Sequence, residues 1–159
     1  MNKLLMSASL AALMLAAAPL SIPSYADDIK QGGAMIVTFK DDISTLDPAI
    51  GYDWKNWSMI KSVFDGLLDY KPGTTEIIPD LAESYDVSKD GLAYTFKLRH
   101  GVKFHNGREM KAADVKYSLE RMINPDTQSP GAGYYGAIKG FDEFQKDKKD
   151  LSGVTTPDD

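Results

Sequence analysis

The chain has 159 residues, with 18 Lys and Arg against 23 Asp and Glu, a formal net charge of -5 and no cysteine. An acidic chain without a basic cluster argues against a nucleic-acid or anionic-membrane partner. The lack of thiols excludes disulfides and a lipid-modified cysteine.

Met1 to Ala26 has the layout of a secretory leader: Lys3 gives a positive start, Leu4 to Leu20 is uncharged, and Ser24-Tyr25-Ala26 is a small-x-small cleavage site. A membrane-spanning helix needs about 20 apolar residues, and Pro19, Ser21, Pro23 and Ser24 cut this run short. The expected domains are therefore a signal peptide over 1–26 and one small mature domain over 27–159. Cleavage would leave Asp27 first in a periplasmic protein without a lipid anchor. A chain of this size builds one small core, which buries roughly two-thirds of its unfolded surface, and not two lobes.

Gly32-Gly33 leads into Ala34 to Phe39, a short apolar run that predicts a buried strand. After Asp41-Asp42 and the turn Leu46-Asp47-Pro48, the helical spacing of Trp57, Ile60, Val63, Phe64 and Leu67 predicts a helix from Lys55, with Trp57, Ile60 and Phe64 inward and Gly66 as the stop. From Ile77 the period becomes two. Leu92, Tyr94, Phe96 and Leu98 alternate with Ala93, Thr95, Lys97 and Arg99, as a half-buried strand requires. Lys89-Asp90-Gly91 supplies the turn, and Tyr85 and Val87 an antiparallel partner.

Val102 to Phe104 predicts a further short strand closed by Asn106-Gly107, and Phe96 and Phe104 are expected to face the packed helices. Ala112 to Ile123 is the clearest helix, with Val115, Leu119, Met122 and Ile123 on one face and Asn124-Pro125 ending it. A Gly- and Pro-rich loop follows, then a Lys-rich segment read as helical from Ala137 to Lys146. The fold class is α+β, a small mainly antiparallel sheet with helices.

Several stretches in this order carry a resemblance: Leu46-Asp47-Pro48, Phe64-Asp65-Gly66-Leu67, Ile78-Pro79-Asp80-Leu81-Ala82-Glu83-Ser84, Asp90-Gly91 with Tyr94 to Arg99, Gly101-Val102-Lys103-Phe104, Gly107, and Ala112 with Asp114-Val115. Together, behind a secretory leader, they resemble the extracellular solute-binding proteins of family 5, the group with oligopeptide-, dipeptide- and nickel-binding periplasmic members. The resemblance implies part of a periplasmic-binding-protein type II-like lobe, the first strand of lobe I plus an extra α+β subdomain. Family members resemble two-lobed clamps of roughly three times this length, so the chain is read as an N-terminal portion without the second lobe.

Two positions depart from the pattern. Lys111 stands where the family has a capping Thr, a loss worth ~1 kcal/mol. Gly131 stands where peptide-binding relatives place an aromatic.

The resemblance also implies ligand contacts from Tyr52, Asp53 and Trp54, in the loop after Asp-Pro. An extended peptide needs partners for its N–H and C=O groups once water is excluded. The plainer alternatives are an N-cap for Asp53 and packing for Trp54. Gly131 to Gly136 fits a three-glycine dinucleotide pattern but follows Ser129-Pro130 instead of a strand, and is read as a loop. His100 and His105 are two ligands at most, read as solvent-facing, and the paired carboxylates as solvated surface.

No nucleophile elbow or phosphate loop is present. The reading is a monomeric, non-enzymatic binding component without cofactors. Its expected partners are a peptide or related small solute and an inner-membrane ABC permease with separate ATPase subunits. The rivals are a secreted hydrolase and an inert remnant of a truncated gene.

Overall fold

The computed structural model describes residues 32–34, 36–38 and 40–158. The expected leader over 1–26 and its cleavage site lie outside them. The chain divides into two units, Met1–Val37 and Thr38–Asp159. In the first unit the described residues carry no helix or strand, and Ile36 is 92% exposed. The strand expected over 34–39 is therefore absent at positions 34 and 36–38, while 35 and 39 lie outside the described residues. Its apolar pattern suits a strand, but a strand persists only where a neighbour takes up its N–H and C=O groups, and no ladder includes these positions.

The second unit runs α1 (Trp54–Val63), β1 (Leu68–Tyr70), β2 (Ile77–Pro79), β3 (Ala82–Val87), β4 (Tyr94–Leu98), α2 (Ala112–Ile123), two 3-10 turns (Pro125–Thr127 and Ala132–Tyr135) and α3 (Phe141–Asp147). Helix α1 ends at Phe64, which turns extended at φ -126°, two residues before the expected glycine stop. Among the described residues no helix is long and apolar enough to cross a membrane.

Both two-stranded sheets are antiparallel. In β1–β2, Tyr70 lies opposite Ile77. In β3–β4, Tyr85 lies opposite Phe96 and Val87 opposite Tyr94, with a register shift between Ala82 and Ser84. The β3–β4 turn follows from its residues. Gly91 takes the left-handed region at φ 72°, Ser88 Oγ donates to Asp90 Oδ1 at 2.6 Å, and Asp90 Oδ1 also accepts from Leu92 N at 3.1 Å. The two hairpins are joined through Leu67, whose carbonyl accepts from Asp80 and Ala82. At 102–110 the expected strand appears as a tight loop around Asn106-Gly107, with one isolated bridge between Lys103 and Glu109.

Helix α2 matches its expected span. The N-cap position is Lys111, whose ammonium cannot act as an acceptor, but Asp114, three residues in, accepts from the Lys111 backbone N–H at 2.9 Å. That is the reciprocal half of a capping box, and a carboxylate there also suits the positive end of the helix dipole. Arg108 holds the same carboxylate with both terminal nitrogens, at 2.9 and 2.8 Å. Helix α3 starts four residues later than expected, because Gly140 at φ 87° breaks the preceding backbone.

The core lies between α2, α3 and the following segment. Ile123, Phe144 and Leu151 are buried, with Leu119, Tyr135, Ile138, Phe141 and Val154 packed around them. The expectation that Phe96 and Phe104 face the helices is not met. Phe104 is 41% exposed with the Arg108 guanidinium 4.6 Å from its ring centre, and Phe96 stacks on its cross-strand neighbour Tyr85. On α1, Ile60 is buried as expected, whereas Trp57 and Phe64 are half exposed. A two-stranded ribbon has little area to cover both itself and a helix layer, so α2 and α3 pack on one another.

Candidate functional site

The site begins at Asp47. Its main-chain carbonyl accepts from Ile50 and Gly51, at 3.1 and 2.9 Å, which folds the Asp-Pro stretch into a turn. Its carboxylate accepts from Ala49 N at 3.0 Å and from Arg121 of α2, whose Nη1 reaches Oδ1 at 2.8 Å while Nη2 donates to Oδ2. The Arg121 hydrogen bonds hold the Asp47 carboxyl below its usual range despite partial burial. A forked guanidinium–carboxylate pair fixes orientation as well as distance. It seats the loop ahead of α1 against α2.

Beyond that turn the chain enters α1 through Tyr52, Asp53 and Trp54. Asp53 is the N-cap: Oδ1 accepts from Asn56 N at 3.0 Å and Oδ2 from Asn56 Nδ2 at 2.7 Å. Asn56 is 1% exposed and also donates to Ser44 Oγ at 2.8 Å while accepting from Ser44 N at 3.1 Å. The capping alternative for Asp53 is thus realised. Trp54, at the first helical position, is 62% exposed, so the packing alternative for it is not.

Tyr52 points elsewhere, into an open groove of about 530 Å³, within the ~300–1,000 Å³ usual for ligand sites. Its ring stacks on Tyr134 at a centroid distance of 5.9 Å and meets Trp57 edge-on at 5.4 Å, and its hydroxyl donates to that of Tyr134. This hydroxyl bond raises the Tyr52 pKa above the ordinary phenol value. Pro48 and Ala49 line it from the Asp-Pro turn, and Met122, Ser129, Gly131 and Tyr135 from the end of α2 and the stretch after it. The lining includes no ionisable acid or base of the carboxylate, ammonium or guanidinium kind.

The structure therefore separates the three expected contacts. Tyr52 lines the groove, while Asp53 and Trp54 do not. Sequence reasoning missed Met122, Ser129, Tyr134 and Tyr135. The available signal was the pair of adjacent tyrosines inside a glycine-rich stretch. That stretch forms the second 3-10 turn, and Tyr134 is 76% exposed. His100 and His105 are both exposed, and no group of three or more His, Cys, Asp or Glu that could hold a metal occurs among the described residues.

Residues 76–159 match the family described as "Bacterial extracellular solute-binding proteins, family 5 Middle". The chain is 51% identical over 106 residues to di/tripeptide-binding protein 4 of Pseudomonas aeruginosa, covering 60% of this chain and 20% of that protein. It is 36% identical over 114 residues to the glutathione-binding protein GsiB of Pectobacterium atrosepticum, covering 72% of this chain and 22% of that protein. In structure it is similar to the substrate-binding domain of an oligopeptide ABC transporter from Bacillus anthracis, with a TM-score of 0.70, 29% identity, and coverage of 77% of this chain and 24% of the other. The chain spans about a fifth to a quarter of the length of these relatives.

Proposed function

Because the chain belongs to the bacterial extracellular solute-binding proteins of family 5, we propose that it acts in the periplasm as part of a peptide-binding component, delivering its ligand to an inner-membrane ABC permease. Two of the relatives carry peptide ligands in their names, di/tripeptides and the tripeptide glutathione. The observation that carries this reading is the charge-free aromatic groove joining the Asp-Pro turn to the second 3-10 turn. A wall of this kind suits side chains of an extended peptide, whose backbone groups find partners on a facing wall.

In this reading Tyr52 touches the ligand inside the groove, the exposed Trp54 meets it outside the groove, and Asp53 between them caps α1. The 159 residues provide one wall of a cleft. Closure of two walls over the ligand would be the signal to the permease, since binding favours the closed state by the contacts it adds. In this reading the protein carries its ligand and leaves it intact.

The test is NMR of the two indole N–H signals, Trp54 and Trp57, in the 159-residue chain with a mixture of dipeptides at roughly 10 mM. Both signals are expected to move, Tyr52→Ala is expected to suppress the movement at Trp57, and the peptides should remain intact by mass. Unmoved signals would remove the peptide reading, and cleaved peptides would replace it with the hydrolase.

A further inference from the structure

We infer that the groove is a subsite for one bulky, uncharged side chain of the ligand, aromatic or long aliphatic, and that Gly131 sets its size. This rests on the peptide reading above and specifies what that site selects. Gly131 is buried, at φ -90°, a backbone conformation open to any L-residue. Glycine is not required there by backbone geometry, so its effect lies in the side chain it omits.

A Cβ built at Gly131 would lie 3.8 Å from Met122 Sδ, 3.8 Å from Tyr52 Cδ2 and 3.7 Å from Ser129 Oγ. These are ordinary contacts, so a methyl group fits. Any longer side chain would extend from between Met122 and Tyr52, both of which line the groove. The missing side chain is the space the ligand occupies.

The walls decide what enters that space. Rings from Tyr52, Trp57 and Tyr134 and the thioether of Met122 offer dispersion contacts and soft, polarisable surface. A carboxylate or ammonium entering would lose water without gaining an opposite charge. A cation could still be held over a ring face, but Tyr52 and Tyr134 turn faces toward each other and Trp57 meets Tyr52 edge-on. That arrangement leaves no converging set of faces for a point charge, and it favours a flat or branched apolar group.

The experiment compares Ala-Phe, Ala-Leu, Ala-Glu and Ala-Lys by the shift of the Trp57 indole signal in the 159-residue chain, its Gly131→Leu variant and a Gly133→Ala control. A Cβ at Gly133 meets nothing within 4 Å, so this control changes a neighbouring glycine without entering the groove. Ala-Phe and Ala-Leu should bind at least about tenfold more tightly than Ala-Glu and Ala-Lys, as burial of one large apolar side chain implies. Gly131→Leu should abolish that preference, while Gly133→Ala should keep it.

Equal binding of all four dipeptides, a preference for Ala-Lys, or an unchanged preference in Gly131→Leu would each overturn the subsite, with peptide binding itself intact. No response to any dipeptide at either indole would overturn both the subsite and the peptide reading. Circular dichroism of Gly131→Leu checks that its fold is retained. If it is not, Gly131→Ala replaces it, with a smaller loss of the Ala-Phe preference expected and an unchanged preference again fatal to the subsite.

Discussion

Arg121 in α2 grips Asp47 with both ends of its guanidinium, joining residues 74 apart in sequence and tying together two segments that line the groove. Pro48 and Ala49, the next two residues, line the groove, and so does Met122, next to Arg121. Asp47→Asn keeps the shape but loses the charge, and is expected to destabilise the fold by ~1 kcal/mol, a low figure because both side chains are partly in water. The pH dependence has a definite sign. A carboxyl held below its usual value stabilises the fold above that usual value, near 3.8, and this contribution is lost as pH falls through the depressed value. Acid titration by circular dichroism should show a smaller loss of stability below pH ~4 in Asp47→Asn than in the parent chain.

Core substitutions should sort by place and not by residue size. Ile123→Ala and Leu151→Ala each remove a side chain that is 0% exposed and should cost about 2–5 kcal/mol. Phe104→Ala removes a half-exposed ring resting on Arg108, and should cost about 1 kcal/mol or less. Urea melts of the three variants check the order, and a Phe104→Ala loss equal to that of Ile123→Ala would mean the hairpin loop is part of the core.

That difference marks what the residues revealed and what they concealed. Helix α2 was legible because its apolar face, its Asn124-Pro125 stop and its length all agree, and β4 because its alternation and its turn agree. The inward face of β4 was not legible, since alternation identifies which residues share a face and says nothing about which layer covers it. Tyr85, Val87, Tyr94 and Phe96 do share one face, yet Val87 and Tyr94 are 46% and 60% exposed. The groove was half legible. The Asp-Pro turn led to Tyr52, but Met122 read only as a helix-face residue, and the 3-10 turn at Ala132–Tyr135 leaves no periodic trace in four residues.

Two glycines test how closely the backbone packs. A Cβ at Gly153 would stand 2.6 Å from Lys139 O and 2.9 Å from Lys139 N, where only backbone movement could relieve the clash. It would also strain the bond from Gly153 N to Lys139 O, 2.8 Å long. Gly153→Ala should cost about 1–3 kcal/mol, against almost nothing for Gly133→Ala. Thermal melts would decide, and equal midpoints for the two would show that the segment after α3 yields freely.

At alkaline pH the groove should loosen. The Tyr52 phenol is held above its ordinary value first by its hydrogen bond to Tyr134, so the folded state keeps its proton longer than the unfolded one. The resulting stabilisation is full below pH 10 and is lost as pH rises through the raised value. Absorbance titration should show a phenol ionising above the ordinary value, and Tyr134→Phe should lower it by removing the acceptor. No change in Tyr134→Phe would mean the hydroxyl contact does not persist in solution.

Affinity follows from how much of a ligand one wall can cover. The groove is open along one side, so a dipeptide bound there keeps water on its other face, and its backbone groups exchange water for protein with little net gain. A ligand enclosed on all sides reaches about micromolar affinity, near -8 kcal/mol, and loss of half the contacts brings this to roughly millimolar. Calorimetry of the 159-residue chain at micromolar concentration should therefore show no saturable heat with any di- to pentapeptide, although millimolar dipeptide still moves the Trp57 indole signal. Tyr52→Ala should remove that residual shift, since it takes away the ring that meets both Trp57 and Tyr134. Saturable, stoichiometric heat at micromolar peptide would mean that these residues enclose the ligand by themselves, and the site would then have to be sought away from the Asp-Pro turn.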